Sequence, residues 1–215
     1  IQDIKKISDI IKKKDNNILF HIDATQALGK IPYDVKKLGV DAMSFSSHKV
    51  HGPKGIGALY VSNAFKNKIR PLLFGGRQEV FSSGTLNAPA IYSFAKALEL
   101  SEKKEDYLYI KDLNTYLREN IKGKFSNFHI NSPFENSSPY ILNVGFENIK
   151  SEVLLHMLEE DGIFVSSGSA CSKGNNSRIL SAIDLDEKYI DGVIRFSFSN
   201  DISKKDLDFV IDRLI

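Results

Sequence analysis

Three short apolar runs between residues 16 and 62 most limit the folds that this chain can adopt. The segments NNILFHID, DAMSFSS and GIGALYVS are each long enough for one short strand, and the first two end in polar residues. Short strands that alternate with short helices or loops are typical of an α/β layer architecture. Isoleucines recur at helical spacing over residues 2–14, with lysines on the opposite face. The sequence therefore predicts an α/β domain that begins with a surface helix.

The pattern changes to an α+β mixture in the second half of the chain. The stretch NAPAIYSFAKALELSEKKEDYLYIKDLNTYLRENIKGKF predicts two helices, and SPYILNVGF and GVIRFSFS predict strands. Further helices are predicted for SEVLLHMLEEDG and for SKKDLDFVIDRLI, where Ser203 and Asp206 are spaced as a capping box. We therefore expect one domain over residues 1–100 and a second, smaller domain over residues 101–215.

The overall charge of the chain is nearly balanced. The 29 lysines and arginines against 27 aspartates and glutamates leave a formal charge of +2, which argues against nucleic acid or a membrane surface as the main partner. No run approaches the roughly 18 apolar residues of a membrane span, and the charged opening segment IQDIKKISDIIKKKD does not resemble a signal peptide. We expect a soluble, cytoplasmic protein. Because the chain opens inside a helical pattern without an initiator methionine, we also expect a piece of a longer one.

Polar residues follow the first predicted strand in the segment HIDATQ. His21, Asp23 and Gln26 stand where that strand ends. In open α/β sheets the ligand site lies beyond the carboxyl ends of the strands, so these side chains are well placed to bind a ligand. An aspartate that caps a turn or a helix is the alternative for Asp23, because aspartate also favours that role at strand ends.

The second predicted strand ends in the segment SFSSHK. Ser46, His48 and Lys49 would lie at the same sheet edge as Asp23 if the two strands are neighbours. A lysine that is partly desolvated and near other cations can act as an amine nucleophile towards an aldehyde. A solvated loop lysine is one alternative, and a zinc site made by His48, His51 and Asp23 is another.

The single cysteine of the chain, Cys171, lies in the segment SSGSACSKG, so the chain alone cannot form an intrachain disulfide. A structural cysteine normally has apolar neighbours, whereas this one is surrounded by serine and glycine, with Lys173 two residues on. A small-residue loop suits a thiol that must reach a bound substrate, and a nearby cation favours the thiolate. A cysteine that lies in a loop without a chemical role is the alternative.

Two further segments give weaker indications of a binding site. Thr85, in the segment SSGTLN, precedes a predicted helix, where a hydroxyl and backbone N–H groups suit either a phosphate or a simple N-cap. Arg195 is a charged residue within the apolar strand VIRFSFS, which suits bidentate binding of a carboxylate. A solvent-facing arginine on an edge strand is the alternative for Arg195.

These segments, together with GGRQE, occur in an order and spacing that resemble the cysteine desulfurases, which are pyridoxal-phosphate enzymes of the class V aminotransferase group. The resemblance runs across essentially the whole chain, and it is closest to the branch that supplies sulfur for iron–sulfur clusters and tRNA modification. It implies that residues 1–100 are the C-terminal part of the large cofactor domain of a fold-type I enzyme, without that domain's N-terminal half. It implies that residues 101–215 are the small α+β domain with the cysteine loop.

The resemblance also implies roles for the residues around the cofactor. Lys49 corresponds to the lysine that forms a Schiff base with pyridoxal 5′-phosphate. Asp23 corresponds to the carboxylate that pairs with the pyridine nitrogen, and Gln26 to the residue that binds the ring hydroxyl. Ser46 and His48 correspond to phosphate ligands.

The remaining roles concern the substrate and the partners. Arg195 would hold the carboxylate of L-cysteine, and Cys171 would attack its sulfur, so that alanine leaves and a persulfide forms. Thr85 would bind the cofactor phosphate in the neighbouring subunit of a homodimer. The sulfur would then pass to an acceptor protein. Two positions depart from the family pattern, since Ser82 stands where arginine is usual and Arg77 where glycine is common.

Two other functions remain open from the sequence. The chain would serve equally well in a selenocysteine lyase or another pyridoxal-phosphate enzyme acting at the β-carbon, because Lys49 and Arg195 fit those substrates too. A non-catalytic module that only docks a sulfur acceptor is the alternative outside enzymes.

Overall fold

The computed structural model describes residues 1–71, 73–76, 81–101, 104–167, 180 and 182–214. Their contacts divide the chain into two compact units, which we call the N-terminal unit (residues 2–104) and the C-terminal unit (residues 105–215 together with Ile1). The boundary predicted from the sequence lies at residue 100. No helix within the described ranges is both long and apolar enough to cross a membrane.

The N-terminal unit contains a three-stranded sheet, as the apolar runs predict. Its strands are β1 (His21–Asp23), β2 (Ala42–Ser46) and β3 (Gly57–Val61), in that order, with β1 parallel and β3 antiparallel to β2. A 3₁₀ helix (Ser47–Val50) follows β2 directly. The helices are α1 (Ile4–Lys14), α2 (Val35–Leu38), α3 (Asn63–Lys66) and α4 (Ala88–Ser101).

A small apolar cluster fixes the 3₁₀ helix against its neighbours. Leu28 from the turn after β1, Val50 from the 3₁₀ helix and Phe94 from α4 are all buried together. Gly29 has φ +68°, and a Cβ atom at this position would lie 3.0 Å from Cγ1 of Val50. The turn after β1 therefore packs closely on the 3₁₀ helix only because residue 29 has no side chain.

The C-terminal unit is an α+β structure, as predicted. Its sheet has the order β4-β5-β7-β6, with every neighbouring pair antiparallel. The strands are β4 (Phe128–Ile130), β5 (Ile141–Phe146), β6 (Ser166–Ser167) and β7 (Val193–Ser197). The helices are α5 (Lys104–Lys124), α6 (Ser151–Glu160), α7 (Glu187–Ile190) and α8 (Lys204–Leu214).

The two faces of this sheet differ. On one face, Leu142, Val144 and Ile194 belong to the main core, which α5, α6 and α8 complete. The other face carries a smaller cluster that includes Leu185 and Val193. Side chains alternate along a strand, so Arg195 lies on the same face as Val193.

The predicted capping box at the start of α8 is confirmed. The backbone N–H of Ser203 donates to Oδ2 of Asp206 over 2.7 Å, and the Asp206 N–H donates weakly to the Ser203 hydroxyl over 3.4 Å. The Ser203 hydroxyl also donates to Oδ2 of Asp206 over 2.7 Å, and this bond, followed by the one from the Ser203 N–H, lowers the pKa of Asp206. Reciprocal bonding of this kind satisfies backbone donors that a helix start leaves without a partner.

Candidate active site

The carboxyl ends of β1 and β2 lie side by side in the N-terminal unit. Asp23 is the direct partner of Ser44 across these parallel strands, and the N–H of Ala24 donates to the Ser44 carbonyl over 2.9 Å. Ser46 is the last residue of β2, so it lies at the same edge as Asp23. The two strands are therefore neighbours, which is the condition for a common site at their carboxyl ends.

The carboxylate of Asp23 is exposed and ionised at neutral pH. Its Oδ1 accepts a hydrogen bond from the backbone N–H of Thr25 over 2.9 Å. The Thr25 side chain and backbone both lower the pKa of Asp23, with a smaller contribution from His21. Asp23 therefore does stabilise a turn, as the simpler alternative suggested, and it also presents a negative charge at the sheet edge. Gln26 is exposed in that same turn.

Lys49 lies on the short 3₁₀ helix that leaves β2. Its first residue is anchored, because the Ser47 N–H donates to the Ile56 carbonyl over 3.2 Å, and the Gly52 N–H closes the turn on the Ser47 carbonyl over 3.1 Å. Ser47 and Val50 are buried, while His48 is exposed and Lys49 is half-buried. The lysine is thus attached to a well-packed element, unlike a lysine on a solvated loop.

Ser46 and His48 form a side-chain pair next to this lysine. The Ser46 hydroxyl lies 2.7 Å from Nδ1 of His48. A neutral imidazole that accepts this hydroxyl proton carries its own proton on Nε2, where it can bind an anion. No three metal-binding side chains form a group within the described ranges, which include His48, His51 and Asp23. The described part of the structure therefore gives no support to the zinc alternative.

A second lysine that the sequence did not single out lies close to Lys49. Lys30 follows Gly29 in the turn after β1, and its pKa is lowered, first by burial and then by the charge of Lys49. Gly29, next to Lys30, packs closely on Val50, next to Lys49. The only sequence signal was a lysine after the turn glycine, which is too common to indicate a site.

Thr85 precedes α4 and is exposed. It is not the residue that caps the helix, because Oδ1 of Asn87 accepts the N–H of Ala90 over 3.3 Å. Gly84, with φ +138°, shapes the backbone just before Thr85. Asn87, and not Thr85, therefore caps this helix.

Arg195 lies in the C-terminal unit, on an interior strand. β7 pairs with both β5 and β6, so the edge-strand alternative is wrong. The guanidinium is exposed, and its Nη2 donates to the Ser166 hydroxyl over 3.2 Å. β6 ends at Ser167, four positions before Cys171 in the sequence. Cys171 itself lies outside the described residues.

The groups at the edge of the N-terminal sheet fit a phosphorylated pyridine aldehyde. The ionised carboxylate of Asp23 suits a protonated ring nitrogen, and the amine of Lys49 suits an aldehyde. The Ser46–His48 pair leaves one hydrogen-bond donor for a phosphate. These side chains come from neighbouring strand ends, which is where open α/β sheets bind ligands.

Comparison with known proteins shows similarity over nearly the whole chain. The model of the family described as aminotransferase class-V matches residues 1–210. The protein named cysteine desulfurase IscS of Buchnera aphidicola subsp. Baizongia pistaciae is 40% identical over 98% of this chain and 52% of its own length. The protein of the same name from Dictyoglomus turgidum is 38% identical over 100% of this chain and 55% of its own length. The chain thus spans about half the length of these relatives.

Solved structures show the same similarity. A NifS-like protein superimposes with a TM-score of 0.86 at 35% identity, covering 100% of this chain and 56% of that one. A NifS-like protein from Rickettsia africae gives a TM-score of 0.82 at 32% identity, covering 100% and 57%. These likenesses confirm the predicted α/β fold class.

Proposed function

Because the chain belongs to the class-V aminotransferase family, we propose that it acts as a cysteine desulfurase, which removes sulfur from L-cysteine and leaves L-alanine. The observation that carries this proposal is the common sheet edge of Asp23 and the Ser46–Lys49 segment. The names of the relatives that match over the whole chain support the same activity.

We propose that the cofactor is pyridoxal 5′-phosphate, which when bound supplies an aldehyde for amino groups and a ring that withdraws electrons from the substrate α-carbon. The carboxylate of Asp23 keeps a proton on the ring nitrogen, since its lowered pKa leaves it charged at neutral pH. Gln26 donates to the ring hydroxyl from the same turn. Ser46 and His48 bind the phosphate, and Thr85 binds the phosphate of the neighbouring subunit in a homodimer.

Lys49 has two tasks in this proposal. Its amine holds the cofactor aldehyde covalently before substrate arrives. When free, that amine would remove the proton from the substrate α-carbon. Attachment to the anchored 3₁₀ helix keeps this amine near the sheet edge throughout.

The C-terminal unit contributes the substrate groups. Arg195 binds the substrate carboxylate with its guanidinium. The Cys171 thiolate attacks the substrate sulfur, so a sulfur–sulfur bond forms and the carbon–sulfur bond breaks. The electron pair of that bond returns to the substrate β-carbon, which takes up a proton, and the ammonium of Lys49 returns a proton to the α-carbon, so that alanine forms. Cys171 is left as a persulfide.

The proposal extends to the organisation and the partners of the protein. Residues 1–100 form the C-terminal part of the cofactor domain, and residues 101–215 form the small domain with the sulfur-accepting cysteine. The persulfide passes its sulfur to an acceptor protein for iron–sulfur cluster assembly or tRNA thiolation. A reactive single thiol is kept reduced in the cytoplasm, which supports a cytoplasmic location.

The activity is tested by incubating the whole protein with L-cysteine and measuring alanine. Lys49→Ala should abolish alanine release, whereas Lys54→Ala, a matched lysine in the exposed loop beyond the 3₁₀ helix, should leave most of it. Alanine release at the normal rate by Lys49→Ala would refute the proposal. A much faster reaction with selenocysteine than with cysteine would instead favour a selenocysteine lyase.

A further inference from the structure

One face of the sheet in the C-terminal unit carries a row of polar side chains. β7 lies between β5 and β6, and Arg195 of β7 is the direct partner of Asn143 on β5 and of Ser166 on β6. Leu142 and Val144, the neighbours of Asn143 along β5, belong to the main core, so Asn143 points to the opposite face. Residues directly opposite each other in a ladder share a face, so the three polar side chains stand side by side across three strands.

The side chain of Asn143 is held in one orientation. Its Oδ1 accepts a hydrogen bond from the side-chain amide of Asn131 over 2.6 Å. Its backbone is fixed as well, because the Asn143 N–H donates to the Ser132 hydroxyl over 2.9 Å and the Asn143 carbonyl accepts the Asn131 N–H over 2.9 Å. Since the side-chain oxygen of Asn143 is already bonded, its NH₂ group is what remains for a ligand.

The NH₂ group of Asn143 is open to solvent. It donates to no acceptor in the part of the chain that the structure describes. In that same part, the buried side-chain atoms without a hydrogen-bond partner are the Ser47 hydroxyl and Oδ1 of Asn131. The Asn143 nitrogen is not among them, so it is unbonded but not buried, and a ligand can reach it.

Arg195 has N–H donors left for the same ligand. Its guanidinium is exposed, and its Nη2 donates to the Ser166 hydroxyl over 3.2 Å. That bond uses one of the five N–H donors of a guanidinium. Directly opposite residues on antiparallel strands have Cβ atoms about 4.5–5.5 Å apart, so one small anion can contact both Asn143 and Arg195.

From this arrangement we propose that Asn143 is a second ligand of the substrate carboxylate, beside Arg195. Two neighbouring donors gain nothing from each other, whereas an anion placed against both satisfies them together. A carboxylate has two oxygens, so one can bind the guanidinium while the other accepts from the Asn143 amide. A cation would be repelled by Arg195, and an apolar ligand would leave the amide donor unbonded.

The identity of this anion rests on the proposed function, in which Arg195 binds the carboxylate of L-cysteine. The probe is therefore 3-mercaptopropionate, which has the thiol and the carboxylate of cysteine but no amino group. Its binding is measured by saturation-transfer NMR on the cofactor-free whole protein. No turnover takes place there, so the measurement does not depend on desulfuration.

Asn143→Ala should weaken binding of the probe about fivefold, as for the loss of one hydrogen bond. Asn143→Asp keeps the size of the side chain and the bond from Asn131, and it should weaken binding at least about tenfold, because like charges then meet. The matched control is Asn120→Ala. Asn120 is also half-buried, but its amide donates to the Tyr116 carbonyl on α5, so the affinity should stay unchanged.

Arg195→Gln separates the failure of this inference from that of the proposed function. It should weaken binding of the probe more than Asn143→Ala does, because it removes the positive charge. If Arg195→Gln weakens binding and neither Asn143 variant does, Asn143 is not a ligand and the proposed function stands. If none of the three variants weakens binding, the carboxylate site of the proposed function is wrong as well. A loss in Asn120→Ala as large as that in Asn143→Ala would also overturn the proposal.

Discussion

The hydroxyl of Ser46 and Nδ1 of His48 are 2.7 Å apart, at the end of the strand that leads to Lys49. This bond orients the imidazole without any ligand. A ring held in one orientation loses less freedom when it binds an anion. The pair is therefore prepared for a phosphate before one arrives.

Ser46→Ala should weaken cofactor binding, because the variant loses the hydroxyl that orients His48 for the phosphate. A loss of about tenfold in affinity is expected for one or two such hydrogen bonds. Titration of the cofactor-free whole protein with pyridoxal 5′-phosphate measures it. Ser93→Ala removes an exposed hydroxyl that donates to the Pro89 carbonyl on α4, and it should leave the affinity unchanged.

Thr25→Val should raise the pKa of Asp23, since the Thr25 hydroxyl is the largest cause of its lowering. A lowered carboxyl pKa stabilises the fold at neutral pH, and this contribution disappears as the pH falls through the folded-state pKa. The destabilisation by Thr25→Val should therefore shrink in acid. NMR titration of the aspartate carboxyl groups measures the shift, with Asp206, which Ser203 governs, as an internal control that should not move.

Two buried serines should respond to alanine in opposite directions. Ser47 has a fully buried hydroxyl without a hydrogen-bond partner in the described part of the chain, so Ser47→Ala should raise the free energy of unfolding by about 1 kcal/mol. The Ser8 hydroxyl is equally buried but donates to the Gly39 carbonyl over 2.7 Å, so Ser8→Ala should lower it by about 1 kcal/mol. Urea denaturation measures both. Destabilisation by Ser47→Ala would show that its hydroxyl is bonded.

Gly29→Ala should destabilise the protein more than Gly55→Ala. Both glycines have positive φ, so both substitutions strain the backbone by about 1 kcal/mol. Only at Gly29 does the new Cβ also crowd Val50, whereas nothing lies within 4 Å at Gly55. The additional overpacking should lower the free energy of unfolding of Gly29→Ala by about 1 kcal/mol more. Equal losses in urea denaturation would mean that the packing of Gly29 on Val50 is loose.

The elements with strong local patterns could be predicted from the sequence. The apolar runs before Asp23 and Ser46 formed strands, and Ser203 began α8. β1 is nevertheless shorter than the apolar run that predicted it, because Phe20, just before β1, is bonded to Asp41. The Phe20 N–H donates to the Asp41 carboxylate, and the Phe20 carbonyl accepts the Asp41 N–H. The short strands β4 and β6 were missed, since only distant partners stabilise them.

The candidate site, too, could be predicted from the sequence only in part. Asp23 and Lys49 could be recognised as site candidates, because each stands where an apolar run ends in polar residues. That signal is contained in neighbouring positions of the sequence. Lys30 was not recognisable, because its burial beside Lys49 follows from the contact between Gly29 and Val50, which are far apart in the sequence. Local sequence patterns therefore indicate which residues end a strand, but not which other side chains tertiary contacts bring next to those residues.

The most direct test of the desulfurase account is alanine release from L-cysteine by the Cys171→Ser variant of the whole protein, measured alongside its melting temperature and cofactor content. Serine keeps the size of the side chain, so the melting temperature and bound cofactor should match those of the unaltered protein. Alanine release and protein-bound persulfide should both be absent, because a hydroxyl cannot accept the sulfur. Alanine release near the normal rate would contradict the account.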